Sequence, residues 1–274
     1  MSECVHDSVS KALMVLGLGR SRVTAVKTDA QGRMSVDGLP PLDGRTLICT
    51  QAGHVHTGAF DPIGDITDRA AAVGAWVHVD GAFGLWARAV PALAHLTAGS
   101  ERADSWAVDM HKWLNVPYDS GMVLTRHDHP IRKAMAAWSP LLQDERQPAA
   151  YTLEQSRRAR GVDLWASLAF LGREGLARMI EETCALAAGL ADACSQAGLE
   201  VANEVVLNQV LVSAGDDEQT EALLRAVNTE GVIACSGARW KGRSYLRLSV
   251  SCHETTAADI EAAVQALCRG RAER

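Results

Sequence analysis

The sequence predicts an α/β fold: a large domain on a mostly parallel sheet, followed by a small α+β carboxyl-terminal domain. Three observations predict it. Short apolar runs at 46–50, 76–79 and 106–108 are joined, first to second, by a helix-patterned segment at 63–73, and strand, helix, strand order calls for parallel pairing with a right-handed crossover. Two of those runs lead directly to residues of opposite charge, Asp80 and Lys112, which lie 32 residues apart. Beyond residue 172, strand-like runs at 207–213, 231–235 and 244–250 alternate with helical segments, the pattern of a unit with its own core. The resulting division is a large domain at 1–150, a connecting helix at 151–172 and a small domain at 173–274.

Each element follows from local chemistry. Residues 6–16 read as a helix, with Val9, Leu13 and Leu16 near one face and Gly17 and Gly19 ending it. Residues 23–28 alternate as a strand, 29–33 supply a turn, and 36–45, rich in Pro and Gly, form a loop. The strand at 46–50 runs into a loop at 51–58 that lies at the carboxyl edge of the sheet. Asp61 then reads as the cap of the 63–73 helix, with Pro62 at its first position. After the 76–79 strand, Gly81 lets the backbone turn beyond Asp80. A strand at 121–125, a helix at 131–138, a polar loop at 139–152 and helices at 156–171, 177–196, 218–228 and 256–268 complete the chain.

Composition narrows the function. The chain of 274 residues is 47% hydrophobic, 22% charged and carries a formal charge of −6, so it offers no basic surface for nucleic acid. No apolar run approaches the roughly 20 residues that span a bilayer. Met1-Ser2-Glu3 begins without a basic segment or an apolar stretch, which argues against secretion. Seven scattered cysteines fit reduced thiols in a cytoplasm.

An acid and a lysine at two strand ends of one sheet can face a single ligand in the crevice beyond its carboxyl edge. Pyridoxal phosphate needs that pair: a carboxylate that keeps the pyridine nitrogen protonated, and a lysine that holds the aldehyde as a Schiff base. The chain uses 22 arginines and only five lysines, which sets Lys112 apart from generic positive charge. A solvated lysine and a helix-capping aspartate would show the same spacing. His54 and His56 have no third ligand placed to join them, so no metal site is expected. Arg247, inside an apolar strand, needs an anionic partner: a substrate carboxylate or an acidic neighbour.

The wording of the central stretch is more specific than its spacing. HVDGAFG (78–84) followed by ADSWAVDMHKWLNVPYDSG (103–121) resembles the cofactor-binding core of the group II pyridoxal phosphate-dependent decarboxylases, which act on glutamate, aromatic amino acids or histidine. The resemblance extends, in family order, through HDSVSKALMVLGLG (6–19), TGAFDPIGDI (57–66), SRRARGVDLW (156–165) and YLRLSVSCHETT (245–256).

That resemblance implies an aminotransferase-like fold type I large domain, here incomplete, and decarboxylation of an L-amino acid through a Lys112 Schiff base. It also implies a homodimer. Asp80 would hold the pyridine nitrogen, His6 would stack on the ring and the Ala82 methyl would pack on the opposite face. His111 would contact the phosphate, His54 would approach the cofactor or its aspartate, and Arg247 would bind the substrate carboxylate. Asp109 stands where many relatives have asparagine, and for Lys112 a lowered pKa would come from burial and a nearby positive charge. Relatives carry a tyrosine on a mobile loop as proton donor; Tyr151 and Trp138 are the aromatic residues available there. The family's phosphate-binding loop precedes the region matched, so the chain is expected to be a fragment of a longer protein or a shortened product. Aldehyde-lyase or aminotransferase chemistry, and an inactive remnant or regulatory partner, are the alternatives.

Overall fold

Four short apolar runs build the first sheet, in the order β1 (Leu47–Gln51), β2 (Trp76–Asp80), β3 (Ser105–Asp109), β4 (Gly121–Thr125). The computed structural model describes residues 1–135 and 147–272. β1, β2 and β3 are parallel, while β4 returns antiparallel to β3. Helix α1 (Asp7–Val15) precedes the sheet, and α2 (Ile63–Ala71) joins β1 to β2. The buried residues of α2, Ile63, Ile66, Thr67 and Ala70, repeat at the spacing that puts one helix face against a sheet. They pack with Ile48, Val77 and Val79 in the first hydrophobic core.

Three local expectations are corrected. Residues 23–28 form no strand; Val26 and Thr28 make isolated bridges to Ser2 and Met34, because the short terminal segment takes up the Val26 backbone groups. Asp61 does not cap α2. It is buried, and its two carboxylate oxygens accept from the backbone N–H groups of Met34 and Gln51, each at 2.7 Å. Those bonds tie the preceding turn to the end of β1, against a burial that pushes the carboxyl up to about 6. Residues 231–235 form no strand either. Gly231 (φ 75°) terminates a helix, and the Asn228 side chain bonds both backbone groups of Cys235, so strand pairing starts only at Ser236.

The second sheet is antiparallel, in the order β5 (Glu200–Val201), β6 (Gln209–Ser213), β8 (Arg243–Ser249), β7 (Ser236–Trp240). Helices α5 (Asp217–Glu230) and α6 (Ala257–Ala272) pack on it. A reciprocal pair of bonds between Asp216 and Gln219 caps α5.

A long helix, α4 (Arg160–Gln196), serves both cores and is interrupted at Gly172. Its Leu176, Met179 and Ile180 pack in the first core, whereas Ala187, Leu190 and Cys194 pack in the second. Trp113 crosses from the first sheet to donate its Nε1–H to Thr183 Oγ1 at 2.9 Å. The first core thus reaches past the break at Gly172. Helix α3 (Asp128–Met135) starts before the expected 131; the expected end at 138, Trp138 and most of the 139–152 loop lie outside the described residues. Tyr151 ends a short 3-10 turn, Pro148–Tyr151. No helix among the described residues is long and apolar enough to cross a membrane.

Candidate active site

The carboxyl ends of β1, β2 and β3 open into a cleft of about 290 Å³ that the second sheet closes from the other side. Its floor depends on glycine. A Cβ on Gly53 (φ 94°) would stand 2.9 Å from the Cα of Gly84, so the loop after β1 and the turn after β2 touch only because both lack side chains. Asp80 ends β2 at this floor. Its Oδ1 accepts from Ala82 N at 3.1 Å, and its carbonyl accepts from Ala52 N at 2.8 Å, which fixes both backbone and carboxylate. Ala82 lines the cleft two residues on.

Lys112 and His111 enter from the turn after β3 and line the same cleft. Lys112 Nζ lies 2.9 Å from Asp109 Oδ2, with the amine partly exposed. Its charged neighbour is thus a carboxylate, where the sequence led us to expect a cation, because Asp109 ends β3 three residues earlier and turns toward the same space. His111 Nδ1 donates to the Ser120 carbonyl at 2.7 Å, and its ring lies 4.4 Å from that of Tyr118. His6, exposed, also lines the cleft; it caps α1, its Nδ1 accepting from Ser8 N at 3.2 Å. The fold therefore brings together His6, Asp80, Ala82, His111 and Lys112, from sequence positions more than 100 residues apart.

Arg247 comes from the second sheet. It is half-buried in β8, and burial holds its pKa below the ordinary arginine value. It donates to Val55 O at 3.2 Å and Ser236 Oγ at 3.1 Å. Among the described residues no carboxylate pairs with it.

His54 is not brought into the cleft. Only 2% exposed, it packs 4.8 Å from the Trp240 ring, and its Nδ1 accepts from the backbone N–H groups of His56 and Thr57. Burial, with the neighbouring His56, lowers its pKa to about 4. The loop carries Val55 into the cleft lining and turns His54 away, because the Trp240 ring offers an apolar surface on the other side.

Several lining residues escaped the sequence reading: Gln51, Asn208, Gln209, Ser249 and Tyr118. Gln209 is held as Ser249 Oγ donates to its Oε1 at 2.7 Å. Gln51 is 3% exposed, and its Nε2 has no hydrogen-bond partner among the described residues. A glutamine ending the apolar run Leu47-Ile48-Cys49-Thr50 was the available signal.

These groups suit pyridoxal phosphate. Among the described residues, a carboxylate with one oxygen uncommitted faces the same cleft as a primary amine, an orphaned amide donor and a guanidinium lacking an acid, which are the donors and acceptors that a ring nitrogen, an aldehyde and anionic groups require. A lysine and an acid at the carboxyl edge of a parallel sheet, closed by a smaller antiparallel unit, define a fold type I pyridoxal phosphate-binding architecture.

Comparison with known proteins gives the particular family. Residues 1–214 match the pyridoxal-dependent decarboxylase conserved domain, and the chain belongs to that family. It is 29% identical to the aromatic-L-amino-acid decarboxylase of Drosophila lebanonensis, covering 93% of this chain and 66% of that one. To the L-2,4-diaminobutyrate decarboxylase of Rhizobium meliloti (strain 1021) it is 30% identical, covering 89% of this chain and 54% of the other. Among solved structures, Oryza sativa TDC with PLP and tryptamine superposes with a TM-score of 0.88 at 23% identity, covering 99% of this chain and 62% of that chain. The apo form of mouse CSAD gives 0.88 at 24%, again covering 62% of its chain. The chain thus spans two thirds or less of the length of the relatives it matches.

Proposed function

We propose that the chain forms the cofactor and substrate site of a pyridoxal phosphate-dependent carboxy-lyase acting on an L-amino acid. The observation that carries this reading is the convergence of Asp80, Lys112 and Arg247 on one cleft from two sheets. Pyridoxal phosphate, when bound, supplies the electron sink for the pair left behind as carbon dioxide departs. The chain's own groups do the rest. Asp80 holds a proton at the ring nitrogen, its carboxylate kept in place by the Ala82 N–H. Lys112 Nζ, lining the cleft, would be the amine that holds the cofactor's aldehyde. Ala82 and His6 would hold the ring between them, and His111 would take the phosphate. Arg247, with no acid of its own among the described residues, takes the substrate carboxylate and orients it.

A homodimer suits the exposed apolar side chains of α4, Trp165 (71%) and Phe170 (91%). Seven free cysteines suit a reducing, cytoplasmic setting. The test is an absorbance titration of the purified chain with pyridoxal phosphate, followed by borohydride reduction and mass analysis. The wild type is expected to show a near-visible band and a reduced covalent adduct that Lys112→Ala lacks, and to release carbon dioxide from an amino acid in a substrate screen. Identical spectra for the two proteins would overturn the reading.

A further inference from the structure

The orphaned amide of Gln51 has a consequence for how the cofactor is held, given the cofactor reading above. Gln51 ends β1 as the in-register partner of Asp80 across the parallel ladder, so the two side chains leave the same face of the sheet side by side. Both line the cleft. The Gln51 backbone is fully engaged: its N–H donates to Asp61 Oδ2 at 2.7 Å and its carbonyl accepts from Asp61 N at 3.0 Å. The strand end is therefore anchored, while its carboxamide Nε2 is buried with no acceptor among the described residues. A buried N–H without a partner carries a free-energy penalty that native structures rarely leave standing, and a bound ligand is one way to relieve it.

Of the acceptors lining the cleft beside it, Asp80 Oδ2 is the oxygen left for the ring nitrogen, and the others are engaged. Gln209 Oε1 accepts from Ser249 Oγ, Asn208 Oδ1 from Gln209 Nε2, and Asp80 Oδ1 from Ala82 N. The missing acceptor is then supplied by whatever fills the cleft. On a pyridoxal ring whose nitrogen is held by Asp80, the acceptor nearest that nitrogen is the oxygen on the second ring carbon away; the phosphate arm leaves from the other side of the ring. We infer that Gln51 is a cofactor-positioning residue whose Nε2–H donates to the ring oxygen of bound pyridoxal phosphate, fixing the in-plane rotation that Asp80 alone leaves free.

A ligand-side comparison tests this without relying on turnover. Pyridoxamine 5′-phosphate and its analogue lacking the ring oxygen are titrated calorimetrically into the wild type, Gln51→Leu and Gln51→Met, none of which can form a covalent link to these ligands. The wild type is expected to bind the analogue roughly ten- to a hundredfold more weakly than the parent. Each variant is expected to bind the parent weaker by a similar factor and to lose the discrimination. The ligand-free melting temperature of the variants should be unchanged or higher, since an unsatisfied buried donor has been removed. Variants that retain wild-type discrimination, or that lose affinity equally for both ligands, overturn the role of Gln51 while leaving the cofactor reading intact. A wild type that binds neither ligand overturns both. Gln51→Met, unbranched and close to glutamine in length, keeps the test open should the leucine variant fail to fold.

Discussion

The two walls of the cleft are built by different means. The parallel sheet delivers Asp80 and Lys112 from the end of a strand and the turn beyond one, whereas the antiparallel sheet delivers Arg247 from within β8, beside Gln209 at the start of β6. At a strand end the chain escapes the in-and-out alternation of the ladder, so a functional residue shows as a local motif, acid then glycine, or histidine, lysine, tryptophan. Within a strand the alternation persists, and a functional residue looks like any polar position. Charge follows the same division. The first wall carries Asp80 and the Asp109–Lys112 pair, while the second presents neutral amides and a guanidinium that has no acid among the described residues. Strand β8 contains the contrast in miniature: exposed Arg243 forks onto Glu200 at 2.9 and 2.7 Å, and Arg247 four residues later donates, among the described residues, to a carbonyl and a hydroxyl.

Substitutions on the two walls should therefore fail differently. The largest effect is expected on the first wall: Asp80→Ala should lower turnover by roughly 10²–10³, with weaker cofactor binding, measured by carbon dioxide release and spectral titration. An Asp80→Ala enzyme with near-normal turnover would remove the carboxylate from the mechanism.

Next comes His54, which belongs to neither wall. Burial holds its folded pKa near 4, below the 6.5 of the unfolded chain. Between those values the unfolded state binds the extra proton, so the contribution is complete above pH 6.5 and lost as pH falls through about 4, on the order of 3 kcal/mol in all. Urea midpoints at pH 7.5 and 4.5 should show a steeper acid loss in the wild type than in His54→Gln; parallel losses would mean that the ring is solvated.

On the second wall, Arg247→Met is expected to raise KM for the amino acid by roughly 30-fold, equivalent to about 2 kcal/mol, with kcat less affected and stability within about 1 kcal/mol of wild type. A collapse of stability at unchanged KM would make Arg247 structural. The smallest effect belongs to Arg243→Ala, under about 1 kcal/mol by urea unfolding and diminished in high salt, because the pair it breaks is exposed.

Legibility in the sequence followed the same line as the architecture. The first-sheet strands stand close to where apolar runs and turn residues put them, and β2 with its Asp-Gly exit marks the cleft floor. Residues 23–28 and 231–235 misled because strand propensity says nothing about whether a partner is available; in both cases other groups already held the backbone. The central loop shows the limit most sharply. Gln51 and His54 lie three residues apart, and side-chain type singles out the histidine. In the folded chain the histidine is satisfied and packed under Trp240, while the glutamine keeps a donor beside Asp80 that is empty among the described residues.

The sequence by itself determined the family and the parallel strands that lead to Asp80 and Lys112, because each is carried by short-range pattern: alternation, turn chemistry and contiguous motif. Only the tertiary structure decided which polar side chains share the cleft, that Asp109 rather than a cation accompanies Lys112, and that, among the described residues, Arg247 lacks an acidic partner and Gln51 Nε2 an acceptor. Hydrogen-bond and charge satisfaction depend on segments as distant in sequence as Val55 and Arg247, and pairings of that kind exist only once the chain has closed on itself.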